Sequence, residues 1–349
     1  MAIEPLDRTE LAGILDPREV GGMLRMSSFD CVVPLTPDDQ RAVASITASA
    51  LASLGLNRSD RVVVAASNDA APLAEAASLV SAAVAHVEPQ GRVRLLRTLH
   101  LLGTTVLVMT PCGAEHLVDR ANDLGYRPDR LGIRLLLTIG EIPSEGSLDR
   151  LADAFGAEVA EIHIDPVTGA AVSSTPRGAL TQVHVGAQYS LSPLGDTGAY
   201  EIIVAPSWTE ALYDRPVRTG MVTWSLDGPP RHTIGSHVLV RGRWVPLPLF
   251  DEVLRAHPEV VSWRLRVSRP GLLDHAVLEI VCDTDAHATG AAVHDRLARS
   301  AASITPIAVD VILRGPSAGI FNSVLDDVRG HHLAIDRADF LAAHRVPNV

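Results

Sequence analysis

Between residues 60 and 164 the chain alternates short apolar segments with longer amphipathic ones, and few folds accept that rhythm. Asp60-Arg61 leads into VVVAA; TTVLVM (104 to 109), IRLLLTI (133 to 139) and EVAEIHI (158 to 164) follow. The stretches between them, 71 to 85, 91 to 101, 114 to 124 and 145 to 155, read as helices. A further helix over 36 to 55 opens with Thr36-Pro37-Asp38-Asp39, a capping residue followed by proline in the first turn. Short apolar strands separated by helices predict an α/β domain on a largely parallel sheet, covering about 36 to 165.

Past residue 170 the texture changes. AYEIIVAPS, VRTGMVTWSL and HVLVRGRWV are β-branched and punctuated by glycine and proline, which predicts a β-rich subdomain over about 170 to 240. A helix at 248 to 256, strands VVSWRLRVS and HAVLEIVCD, a helix at 287 to 302 and strand IAVDVIL then predict a small α+β domain over 241 to 349, of ordinary domain size.

Thirty basic residues against 41 acidic ones give a net charge of −11, and no basic run is present, which argues against a nucleic-acid partner. Three widely spaced cysteines, Cys31, Cys112 and Cys282, suit neither a disulfide framework nor paired zinc ligands, and fit a reducing cytoplasm. The N-terminus shows no basic segment followed by an apolar one, and no stretch approaches the roughly 20 apolar residues of a membrane span. A protein neither exported nor membrane-embedded is expected. All 30 basic side chains are arginine. For surface charge that is nearly neutral, but in catalysis a planar guanidinium does not reproduce the compact, mobile charge of a lysine ammonium.

Several strings fall in a shared order: Asp60-Arg61-Val62, Thr110-Pro111, Gly140-Glu141, Phe155-Gly156-Ala157, Thr168-Gly169-Ala170, Arg218-Thr219-Gly220, and Val240-Arg241-Gly242 ahead of Phe250-Asp251-Glu252-Val253-Leu254. In this order, over about residues 4 to 330, the chain resembles the phenylacetate:CoA ligase branch of the acyl-adenylate-forming (ANL) superfamily. Such enzymes make an acyl-AMP from ATP and a carboxylate and pass the acyl group to CoA. The resemblance implies an ANL-type large domain, a small C-terminal domain, and a boundary between them near the hinge at Val238 to Pro246.

The departures from that pattern fall on its catalytic positions. The phosphate loop should lie between Met26 and Pro34, where the chain reads Met26-Ser27-Ser28-Phe29-Asp30-Cys31-Val32-Val33-Pro34. Glycines that let backbone N–H groups approach phosphate are missing, as is the lysine, and Asp30 brings negative charge. The magnesium-binding glutamate of the family matches Val167, the ribose-clamping acid matches Met221, and the hinge aspartates match Ser236 and His237. Ser317-Ala318-Gly319 is followed by Ile320-Phe321-Asn322 where a lysine is expected. Losing even one charge-stabilising donor typically costs about two to three orders of magnitude in rate.

Candidate site residues follow from strand ends, where open α/β sheets bind ligands. Thr110, Pro111, Gly140, Glu141, His163, Ile164 and Asp165 are expected to line a pocket, with Arg218 added by the resemblance. His163 and Asp165, at i and i+2 of a strand, point the same way and read either as a base with its partner or as a structural pair. Cys112 reads either as a thiol nucleophile or as a small buried hydrophobe. Three functions remain open. One is a catalytically silent relative that binds an acyl compound, a CoA or phosphopantetheine thioester, a carrier protein or a full-length ligase. Another is an ATP-independent acyl transferase or cyclase using His163, Asp165 and Cys112, and the third an active ligase. On the first two readings no cofactor is required, ATP and magnesium are not expected, no metal site is foreseen, and the ligand is a small acyl or aromatic carboxylate derivative. A homodimer is the expected assembly.

Overall fold

A computed structural model describes the chain except residues 1–3, 17, 19–21, 29, 67–69, 89–90, 214, 284–285 and 345–349, with backbone alone at 286–290. Helix α1 (Arg8–Ile14) is followed by an antiparallel hairpin of β1 (Met23–Ser28) and β2 (Cys31–Leu35). Its tip occupies the stretch where the sequence suggests a phosphate loop; Phe29 lies outside the described residues. Helix α2 (Pro37–Ser53) starts at the cap read from sequence. Thr36 Oγ1 accepts from the Asp39 N–H, and the Asp39 carboxylate accepts from the Thr36 N–H.

Strands β3 (Arg61–Ala65), β4 (Ala83–His86), β5 (Val106–Met109), β6 (Leu135–Ile139), β7 (Glu158–Ile164), β8 (Ala171–Pro176) and β9 (Gln182–Val183) form a seven-stranded sheet in the order β4-β3-β5-β6-β7-β8-β9. The ladders from β4 to β7 are parallel, and β8 and β9 are added antiparallel. Helices α3 (Ala71–Val80), α4 (Arg92–Leu102), α5 (Pro111–Asp123) and α6 (Ser147–Phe155) connect them. Strand alternation sorts the core into two layers. Val62 and Val64 pack with Leu51 of α2 and Leu73 of α3, while Val63 and Ala65 pack with Leu96 of α4, Leu117 of α5 and Phe155 of α6. Burial on both faces is why these strands read as unbroken apolar runs.

Two helix limits differ from the sequence expectation. The helix expected over 71 to 85 ends at Val80, and Ala83–His86 is a parallel edge strand on β3. Alanine favours helix locally, but the open edge of β3 supplies ladder partners such as the Ala82 N–H to the Asp60 carbonyl at 2.9 Å, and tertiary pairing outweighs propensity. The helix expected from 114 begins at Pro111, because Thr110 Oγ1 accepts from the Gly113 N–H at 3.1 Å and proline fills the first turn.

An antiparallel sheet of β10 (Tyr189–Pro193), β11 (Tyr200–Val204), β12 (Val217–Thr223) and β13 (His232–Thr233) comes next, then a hairpin of β14 (His237–Val240) and β15 (Arg243–Pro246). Beyond it lie α7 (Leu247–Arg255), β16 (Val260–Ser268), β17 (His275–Cys282), α8 (Ala286–Ala302), β18 (Asp310–Arg314), β19 (Leu325–Asp327) and α9 (Arg337–Ala343). The C-terminal sheet runs β18-β17-β16-β19. Val238, Val240 and Val245 of the hairpin share one apolar cluster with Leu265, Leu278 and Leu297, so the hairpin packs with the C-terminal sheet.

Entry into the parallel sheet is organised by Asp60. Its buried carboxylate accepts from Arg134 Nε at 2.9 Å and Nη2 at 2.5 Å, from Thr105 Oγ1 at 2.8 Å and from the Asn57 N–H at 2.9 Å, tying together the starts of three neighbouring strands. Replacing it by alanine leaves those donors unsatisfied. Asp60→Ala is expected to lower unfolding free energy by about 3–5 kcal/mol, seen as a lower urea midpoint at unchanged slope. A shift corresponding to under about 1 kcal/mol would contradict that role.

Candidate functional site

A cleft of about 270 Å³ opens at the C-terminal ends of β5, β6 and β7. Thr110, Gly140, Glu141, His163, Ile164 and Asp165 line it, so six of the expected residues converge there. The opposite wall is the β14–β15 hairpin, through Leu239 and the run Arg241 to Trp244, and β1 contributes Arg25 to Ser28. The floor and sides are mostly apolar, including Ala66, Leu73, Ile162 and Ile202. The hairpin reaches this position because Arg241 (φ 51) and Gly242 (φ 72) form a tight left-handed turn against Gly140. A Cβ at Gly242 would stand 3.1 Å from the Gly140 carbonyl oxygen, so the close approach depends on glycine.

The expected pair at the end of β7 divides. His163 Nε2 meets Thr175 Oγ1 at 3.0 Å, and burial, helped by the nearby Arg231 and His184, pushes its pKa from 6.5 to about 3. It is a neutral imidazole at physiological pH. Asp165 is 1% exposed, and its carboxylate accepts from the Val167 and Thr168 N–H groups at 3.1 and 3.0 Å and from Thr168 Oγ1. Those bonds build the tight turn into β8; Asp165 serves that turn.

Three other expected residues stand apart. Pro111 and Cys112 are buried in the first turn of α5 and are not among the cleft residues. Burial and the neighbouring Glu141 push the Cys112 thiol up, so it lacks the thiolate a nucleophile requires, and the buried-hydrophobe reading fits its surroundings. Glu141 Oε2 accepts from the Cys112 N–H at 3.2 Å, and burial raises its own pKa. Arg218 turns away from the cleft to pair with the fully buried Glu201 at 2.8 Å. Among the described residues, no group of three or more His, Cys, Asp or Glu side chains is placed to hold a metal ion.

Several cleft residues were not anticipated. Arg25 and Ser27, at i and i+2 of β1, both project to the cleft; Arg25 Nε and Ser27 Oγ are sealed from solvent and have no hydrogen-bond partner. The guanidinium lies so close over Gly169 that a Cβ there would be 2.6 Å from Cζ. Burial lowers its pKa and Asp165 opposes that shift. Glu161 and Arg231 form a two-bond ion pair at 2.6 and 2.7 Å on another wall. At the tip of the β1–β2 hairpin, Asp30 Oδ1 accepts from Ser28 Oγ at 2.6 Å and meets His237 Nε2 at 3.0 Å. Burial opposes its ionisation, but bonding to His237 and Ser28 keeps the carboxyl below its usual range. The i, i+2 spacing of Arg25 and Ser27 on a strand is the one local signal in the sequence that puts both on the same face.

No protein-family model matches this sequence, and no curated protein matches it. Solved structures do. Against 2-hydroxyisobutyryl-CoA ligase in complex with 2-HIB-AMP and CoA in its thioesterification state, 93% of this chain aligns to 80% of that chain at 16% identity with a TM-score of 0.78. Against the same ligase in its postadenylation state with R3-HIB-AMP, 98% aligns to 81% at 16% identity, and the TM-score is 0.57. The amide bond synthetase McbA from Marinactinospora thermotolerans aligns over 80% of this chain and 62% of its own at 15% identity, TM-score 0.61. The chain has the mixed α/β fold of the adenylate-forming ligases.

Proposed function

We propose that this protein is a non-adenylating relative of the acyl-CoA ligases whose cleft binds a small acyl or aromatic carboxylate derivative, delivered as a CoA or phosphopantetheine thioester. The observation that carries this reading is Asp30. Where a triphosphate would be cradled, a hairpin tip holds a carboxylate kept ionised by His237 and Ser28. A negative charge there repels phosphate, which elsewhere is gathered by exposed N–H groups and a cation.

The remaining positions do not fit ATP and magnesium either. Val167 is 0% exposed in the core cluster with Leu11 and Val33 and has no side-chain oxygen to offer a metal. Met221 lines the cleft with a thioether where a ribose clamp needs an acceptor pair. What the cleft does offer is apolar wall with the Arg25 guanidinium and Ser27 along one side, which suit a ligand with an apolar body and an oxygen-bearing end. The carrier-protein or ligase partner and the homodimer stay within this proposal as routes by which such a thioester would reach the cleft.

The transferase reading, with His163 as base, is less well supported. A base works best with a pKa near the operating pH, and His163 is held several units below it.

Calorimetry tests the main reading. An acyl- or aryl-CoA panel should contain a binder whose affinity falls about tenfold or more in Arg25→Met, as expected for loss of a charged hydrogen bond. MgATP should give no measurable heat at millimolar concentration. Micromolar MgATP binding, or pyrophosphate release dependent on an added acid, would overturn the proposal in favour of an active ligase.

The neutral state of His163 has its own consequence. Because its pKa drops from 6.5 unfolded to about 3 folded, the unfolded chain takes up a proton that the native chain refuses. Stability from this residue is complete above about pH 6.5 and is lost progressively as pH falls toward about 3. Thermal unfolding followed from pH 7 to 5 should show a declining midpoint, and His163→Asn should make the decline shallower by about one proton's worth. An identical slope in the variant would mean that His163 is protonated in the native protein.

A further inference from the structure

The C-terminal residues past β19 do not stay with the sheet they leave. Asp327 ends β19 and holds Arg329 through Nε at 2.8 Å and Nη2 at 3.0 Å, and it also accepts from the His332 N–H at 2.9 Å. From there the chain crosses to the β10–β13 sheet. The Thr233 N–H donates to the His331 carbonyl at 2.8 Å, the Leu333 N–H to the Thr233 carbonyl at 2.9 Å, and the Gly235 N–H to the Ala334 carbonyl at 2.9 Å. Thr233 Oγ1 meets His332 Nδ1 at 2.9 Å.

Helix α9 completes the attachment. Arg337 gives a two-bond pair to the fully buried Glu201 at 2.7 and 2.6 Å, and Phe340 is 1% exposed among Leu194, Ala199, Val222 and Ile234. This short segment therefore runs from the C-terminal sheet, makes strand-like backbone bonds, and ends in a charge clamp and an aromatic plug on a different sheet.

We propose that residues 328–344 are a strap that holds the C-terminal sheet in a single arrangement against the β10–β13 sheet, so that the C-terminal sheet does not swing away from it. The strap does not depend on what the cleft binds. It acts by making any swing of the C-terminal sheet break the backbone bonds at Thr233 and Gly235, unpair Arg337 and expose Phe340 together.

Spin labels placed by Arg120→Cys on α5 and Arg299→Cys on α8 would report the distance between the two parts, since Cys31, Cys112 and Cys282 are buried and resist labelling. The intact chain should give one narrow distance population, unchanged by millimolar MgATP or CoA. Arg337→Ala with Phe340→Ala should broaden or split it. Glu201 keeps its bond to Arg218 at 2.8 Å in that variant, and unchanged circular dichroism would confirm folding. Two populations in the intact chain, or one unchanged population in the folded double variant, would overturn the strap. If the double variant does not fold, the intact-chain measurement alone still decides, since a second population with MgATP or CoA refutes the proposal.

Discussion

The carboxylate of Asp274 holds together parts of the chain that are far apart in sequence. It lies 3% exposed between β16 and β17 and accepts from Arg269 Nε at 2.7 Å, Arg329 Nη1 at 2.5 Å and the Arg241 N–H at 3.2 Å, while its own carbonyl accepts from Arg241 Nε. A buried charge is tolerated only when its partners are in place, so this anion sets the position of each donor. Arg241 belongs to the hairpin turn that walls the cleft, Arg329 to the root of the C-terminal segment, and Arg269 reaches across to the Ile142 carbonyl at 3.2 Å. Hairpin, C-terminal sheet, tail and the end of β6 thus meet at one point.

The shape of the cleft follows from that meeting. Parallel strands deliver Thr110, Glu141 and His163 to one edge, and the Arg241-Gly242 turn seated on Gly140, together with β1, walls that edge into a cleft. The charge pattern inside is equally a product of packing. Glu161 and Arg231 neutralise each other and Asp165 is consumed by its turn, whereas Arg25 Nε and Ser27 Oγ are left without partners. Most polar groups of the cleft are thus satisfied locally, and the two exceptions both stand on β1.

Much of the fold was legible because the strands are buried on both faces and so announce themselves as apolar runs, and because Thr36 with Asp39 is a cap written in adjacent residues. The strand at 83–86 was not, since its alanines favour helix and its pairing with β3 is invisible in local sequence. At the site, the strand ends read from sequence place Thr110, Gly140, Glu141, His163, Ile164 and Asp165 along one cleft. Pro111 and Cys112 lie one step further, inside the first turn of α5, where the chain has already turned into the core. Arg218 illustrates another limit, because which way an arginine on a strand points depends on where a buried partner such as Glu201 stands.

By itself the sequence determined the alternation of apolar strands with helices over residues 60 to 164, and the absence of lysine and of a glycine-rich run between Met26 and Pro34. These are properties of composition and of local periodicity, and no packing can change them. Tertiary structure decided which side chains are free. It spent Asp165 on a turn, held His163 neutral against Thr175, paired Asp30 with His237 across 207 positions of sequence, and left Arg25 open. Whether a charged group is available depends on partners brought from distant segments and on the water removed in bringing them, and neither quantity exists until the chain has folded.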